Sequence, residues 1–181
     1  RTMVLAMQTR LRQICCDPGL VFFRYDQEKS KLSACMELLE SAVQAGKKVL
    51  LFSQFTTVLD QLQQQCSQRG WETYLLTGST TKQQRFEMME RFNRDATPVF
   101  LISLKAGGTG LNLTGAEIVV HYDPWWNLSA EHQATDRAYR MGQQRSVQVY
   151  KLIVAGTVEE KIHQLQLDKQ TLSQSVIEGS D

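Results

Sequence analysis

Short, unbroken apolar runs alternate with stretches of helical periodicity along most of this chain, and that alternation limits the fold more than any other feature. Leu32, Cys35, Met36, Leu39, Ala42 and Val43 fall at helical spacing, and Gly46 stands where a C-terminal cap would end the helix. Val49-Leu50-Leu51-Phe52 follows, the pattern of a strand buried on both faces, closed by polar Ser53-Gln54. The same order repeats: a helix through Val58, Leu59, Leu62 and Cys66, a strand over 73–76, a helix through Phe86, Met89 and Phe92, and a strand over 99–102. A glycine-rich turn leads to a strand over 118–122, a polar helix over 128–139, a strand over 147–153 and a long helix over 157–176. The fold expected is α/β, a mostly parallel sheet with helices on both faces. Ligands of such sheets collect at the carboxyl ends of the strands. The polar and glycine-rich segments at 53–55, 77–79, 103–112 and 123–127 all follow strands.

With 181 residues, 42% of them hydrophobic and 22% charged, the composition is that of a globular domain and excludes disordered and fibrous classes. Lys and Arg number 20 against 19 Asp and Glu, a net charge of +1. No global basic field exists to coat nucleic acid, so any such contact is local. No apolar run reaches the length of a membrane span, and Arg1-Thr2-Met3 opens no signal peptide, so the chain is read as intracellular, without a membrane partner, and as beginning mid-protein. Cys15, Cys16, Cys35 and Cys66 include no C-x-x-C pair, and His121, His132 and His163 lack ligand spacing. They predict no metal site, and the cysteines read as small reduced core residues. The absence of a Pro, Gly or Ser-rich linker and of internal repeats gives one compact lobe over 31–155, with an N-terminal helix and connection over 1–30 and a C-terminal helix over 156–181.

Three groups of residues invite chemistry. The run 103–112 holds Gly107, Gly108 and Gly110, which let backbone approach a phosphate, yet it matches neither G-x-G-x-x-G nor the P-loop, and a tight structural turn would look the same. Gln133, Arg137 and Arg140 stand at i, i+4 and i+7, one face of a helix. Two permanently charged planar forks on one stripe suit a polyphosphate. The plain alternative is a solvated face with Asp136 and Glu131 as salt-bridge partners. Trp125 and Trp126 are packing residues or base-stacking platforms, and Lys82, Arg85 and Lys105 are surface charges, with a phosphate grip as the alternative for Lys105 and the polar loop ends.

Together the segments 48–55, 74–78, 103–113, 123–127 and 133–143 resemble, in order, the motifs of the second RecA-like lobe of Swi/Snf-family ATPases. The flanks agree: Leu11-Arg12-Gln13-Ile14-Cys15-Cys16 resembles the helix before that lobe, and Gly156-Thr157-Val158-Glu159-Glu160-Lys161-Ile162 the start of its brace helix. The resemblance implies an ATP-driven translocase on double-stranded DNA that remodels protein–DNA complexes. It implies Arg140 as an arginine finger, Arg137 as its partner on the phosphates, Gln133 as an orienting group, and Gly108 and Gly110 in the loop coupling nucleotide and DNA sites. Ser53, Gln54, Thr77, Gly78, Lys105 and Thr109 are carried over as DNA-backbone contacts.

No P-loop lysine and no Asp-Glu pair of the Walker B kind occurs in the sequence. ATP and Mg2+ are therefore expected on an N-terminal RecA-like lobe of the same polypeptide, and the isolated lobe is expected to be inactive. Leu128 and Ser129 stand where the family often has Pro, and Asp17 where a histidine often follows the cysteines; neither position is assigned chemistry. The short lobe points to a bacterial cytoplasm, with a nucleus as the alternative. Competing readings are a non-catalytic DNA-binding module, a strand-separating helicase and, far behind, a small-molecule nucleotide enzyme.

Overall fold

The computed structural model describes residues 2–22, 30–104, 106, 112–125, 131–132 and 147–178, in side-chain detail from 3 to 171. Its helices are α1 (Thr2–Cys16), α2 (Ser30–Gln44), α3 (Thr56–Gln68), α4 (Lys82–Arg94) and α5 (Val158–Glu178), with one 3-10 turn at Pro18–Leu20. Its strands are β1 (Val49–Ser53), β2 (Thr73–Leu76), β3 (Val99–Ser103), β4 (Ile118–His121) and β5 (Gln148–Lys151). Every pairing is parallel and the order is β2-β3-β1-β4-β5, so β1 lies at the centre with Leu51 beside Leu101 and Val120. The α/β expectation holds, and each predicted element has a counterpart except the helix over 128–139. Of that segment only Glu131 and His132 are described, and both are helical.

The unbroken apolar strands arise because both sheet faces are covered, and the period of two sends alternate residues to opposite cores. Val49, Leu51, Val99, Leu101 and Val120 pack with Cys35, Leu39, Leu59, Leu62 and Cys66 from α2 and α3. Leu50, Phe52, Phe100, Ile102 and Val119 pack on the other face with Phe92 of α4, Leu113 and Trp125. Strand β5 is shorter than the 147–153 run suggested, and Val149 and Tyr150 are exposed on it. Among the described residues it pairs only with β4, so its apolar residues are not enclosed as those of β1 are.

Local signals set the helix ends. Thr81 and Gln84 form a reciprocal capping box at the start of α4. After α3, Gly70 takes φ +74°, the Gly70 N–H donates to Ser67 O and the Trp71 N–H to Cys66 O, which turns the chain directly into β2. Outside the sheet, α1 packs against α2 and α5. Burial pushes the thiols of Cys16, Cys35 and Cys66 up, so they stay protonated and behave as small apolar groups. Leu51→Ala, at a fully buried position of the central strand, should destabilise the fold by about 2–5 kcal/mol in chemical denaturation without changing the unfolding slope.

Candidate functional site at the strand ends

Parallel pairing brings the carboxyl ends of all strands to one edge, and there a buried carboxylate joins segments distant in sequence. Asp123, two residues past β4, is fully buried. Its Oδ1 accepts from the Ser53 hydroxyl at 2.6 Å and from the Gln54 N–H at 3.2 Å, and its Oδ2 lies 3.7 Å from the Arg12 guanidinium. Arg12 Nη2 also donates to Pro124 O at 3.0 Å, and so does the Gln54 side-chain amide, at 3.0 Å. The Ser53 oxygen accepts in turn from the Phe55 N–H at 3.1 Å. Burial drives the Asp123 carboxyl above its ordinary value, partly offset by the Ser53 hydrogen bond and the charges of Lys31 and Arg12.

Two further buried carboxylates stand nearby. Glu159 of α5 accepts from Lys31 Nζ at 2.6 Å on each oxygen and from the Val154 N–H at 3.0 Å. Lys31 also sits 5.1 Å from the Tyr122 ring centre. Glu131 pairs with Lys151 of β5 and accepts from Gln166 of α5 at 3.0 Å and from the Trp125 N–H at 3.3 Å. Burial alone would raise the Glu131 carboxyl, but Lys151, His121 and Gln166 hold it below its ordinary value. Glu131 is thus no member of a solvated face; it is buried.

The sequence candidates divide accordingly. Ser53 is buried, and its hydroxyl is engaged with Asp123 and Phe55, whereas Gln54 is half-buried beside it. Thr77 is half-buried with its hydroxyl 2.8 Å from that of Ser79, and Gly78 is exposed. Trp125 is buried edge-on to Phe52 and His121, a packing role. Lys105, Gly108, Thr109, Gly110, Gln133, Arg137, Arg140 and Trp126 lie outside the described residues. Sequence reasoning missed Arg12, whose distance in sequence from residue 123 hid the pair. It also missed Thr56 and Thr57, both exposed, in the first turn of α3, which opens at Phe55 without a side-chain cap. Among the described residues, no His, Cys, Asp and Glu group could hold a metal ion, and no helix is long and apolar enough to cross a membrane.

Residues 30–142 match the family described as helicase conserved C-terminal domain. An uncharacterized ATP-dependent helicase of Mycoplasma pneumoniae is 39% identical over 181 residues, which are 97% of this chain and 17% of that protein. The putative ATP-dependent helicase/translocase YwqA of Bacillus subtilis is 40% identical over 187 residues, 100% of this chain and 20% of that protein. The chain thus spans a fifth or less of the length of these relatives. The Sulfolobus solfataricus SWI2/SNF2 ATPase core solved in complex with dsDNA superposes with a TM-score of 0.77 at 34% identity, covering 99% of this chain and 38% of that one.

Burial at this edge also predicts a pH response. Desolvation pulls the His121 imidazole from 6.5 down to about 4, against the opposing pull of Glu131. The fold therefore holds His121 neutral, and its contribution is complete above pH 6.5 and is lost as the pH falls towards 4. Denaturation across that window should show a loss of roughly 2–4 kcal/mol that His121→Phe reduces.

Proposed function

Since the chain belongs to the helicase conserved C-terminal domain family, as a RecA-like lobe of the Swi2/Snf2 type, we propose that it is the second motor lobe of an ATP-dependent translocase on double-stranded DNA. The observation that carries this reading is the single edge on which a parallel sheet collects its strand-end loops, in a chain whose likeness to a DNA-bound ATPase core covers nearly its full length. Gln54, Thr56 and Thr57 at the end of β1, and Thr77, Gly78 and Ser79 at the end of β2, offer small polar groups and backbone suited to phosphates. The Thr56 and Thr57 N–H groups precede the first donor within α3, the Val58 N–H that reaches Phe55 O at 3.1 Å, and they carry partial positive charge, which favours an anion there. Lys105 and Thr109, outside the described residues, are assigned to the same DNA contact, and Ser53 sets the described part from below. A track of this kind grips the backbone without reading bases.

In this reading Arg140 is the finger that stabilises charge on the transferred phosphoryl group, Arg137 shares the phosphates, Gln133 orients, and Gly108 and Gly110 couple the two sites. The sequence has no P-loop, so ATP and Mg2+, which supply the reacting phosphate and its charge neutralisation, are assigned mainly to an N-terminal RecA-like lobe of the same polypeptide. Closure of the two lobes then brings the arginines to the nucleotide, and the isolated lobe lacks turnover. Duplex DNA and the proteins bound to it are the substrates, in a bacterial cytoplasm or a nucleus.

Duplex binding tests the track. Lys105→Ala in the full polypeptide should weaken binding alike across DNA sequences and lower the salt slope by about 1. Sequence-dependent loss, or none, would contradict the assignment. A full polypeptide that binds duplex yet never turns over ATP would instead be a non-catalytic DNA-binding module.

A further inference from the structure

Arg12 lies outside the matched residues 30–142, on α1, yet its guanidinium reaches three points of the strand-end edge. It meets Asp123 Oδ2 at 3.7 Å, donates to Pro124 O at 3.0 Å and stands 5.8 Å from the centre of the Phe55 ring. The chain of contacts continues. Asp123 accepts from Ser53 and from the Gln54 N–H, Ser53 accepts from the Phe55 N–H, and Phe55 is the residue from which α3 starts. One cation therefore fixes both the loop after β4 and the turn from β1 into α3. A side chain only 9% exposed, whose Nη2 donates to the Pro124 carbonyl and lies within ion-pair distance of the Asp123 carboxylate, is confined at this edge.

We infer that Arg12 is a positioning residue for duplex binding, setting the turn into α3 through Asp123 and Ser53. The inference rests on the reading of this edge as the DNA track. A preorganised turn presents Gln54, Thr56 and Thr57 to a phosphate without ordering them on contact, so loosening it weakens the grip on DNA and leaves the nucleotide chemistry intact.

The test is ATP turnover of the full polypeptide against the concentration of a duplex oligonucleotide, with thermal melting of each variant alongside. Arg12→Met should raise the duplex concentration for half-maximal turnover about tenfold, the size of one charge-assisted hydrogen bond. Turnover at saturating duplex and KM for ATP should stay within about twofold of wild type. Arg12→Lys, which restores the charge but not the fork, should recover part of the loss. Ser53→Ala should weaken duplex response in the same way, and the double variant should be no worse than the worse single one, because both act along one path. A lower melting temperature with unchanged half-saturation, or multiplying effects in the double variant, would overturn the inference. If Arg12→Met fails to fold, unchanged half-saturation in both Arg12→Lys and Ser53→Ala does so. Gln54→Ala and Lys105→Ala separate the two levels: if they weaken duplex response while the Arg12 and Ser53 variants do not, the inference alone fails. If none of them does, the DNA-track reading fails with it.

Discussion

A carboxylate enclosed by protein must find cations and donors or leave its charged form, and Asp123 meets that demand from two other parts of the chain. Ser53 and Gln54 come from the end of β1, and Arg12 comes from α1. Satisfying one aspartate therefore fixes the relative positions of two strand-end loops and a helix outside the sheet. Glu159 and Glu131 repeat the arrangement, drawing Lys31 of α2 and Lys151 of β5 to carboxylates on or near α5. Pairs of this kind add little net stability over apolar packing, but removing one partner costs about 3–5 kcal/mol, so they penalise misassembly. Their common effect is registration: the flanking helices and the strand-end edge are set by the same contacts.

Under the proposed function, that division of labour explains how a lobe with a net charge of +1 would serve a polyanion. Its bulk rigidity comes from two apolar layers around β1, whose residues carry no chemistry. The buried carboxylate Asp123 stands at one edge, where parallel strands end together and where first turns and small side chains are accessible. Buried charges beneath that edge hold the loops, while the exposed groups upon it are those proposed to meet phosphates. The family membership of residues 30–142 supplies the frame, and α1, β5 and α5 complete it from outside that span.

Most of the architecture was legible because apolar burial leaves a periodic trace. The run from Val49 to Phe52 reads as a doubly covered strand, and it is one; Gly46 and Gly70 end helices because their positive φ is hard for other residues. Strand β5 was less legible, since an edge strand needs no continuous apolar run and exposes Val149 and Tyr150. The buried charges were the least legible. Arg12 and Asp123 are ordinary polar residues in sequence, and nothing in local spacing says that they meet. A solvated face with Glu131 stood as the plain alternative in the sequence because its partners, Lys151 and Gln166, lie far downstream. Ser53 was recognisable as a residue at the site, but only the hydroxyl's contacts with Asp123 and Phe55 show that it supports the surface from within.

The central claim is that this lobe completes an ATP site held elsewhere in the polypeptide and couples it to DNA. The most direct measurement is steady-state ATP turnover by the full polypeptide, with and without double-stranded DNA, for wild type and Arg140→Ala, with ATP binding measured in parallel. The account predicts turnover stimulated by duplex and reduced by about 10³-fold or more in Arg140→Ala, while ATP still binds. Turnover that is indifferent to both the duplex and Arg140 would contradict it.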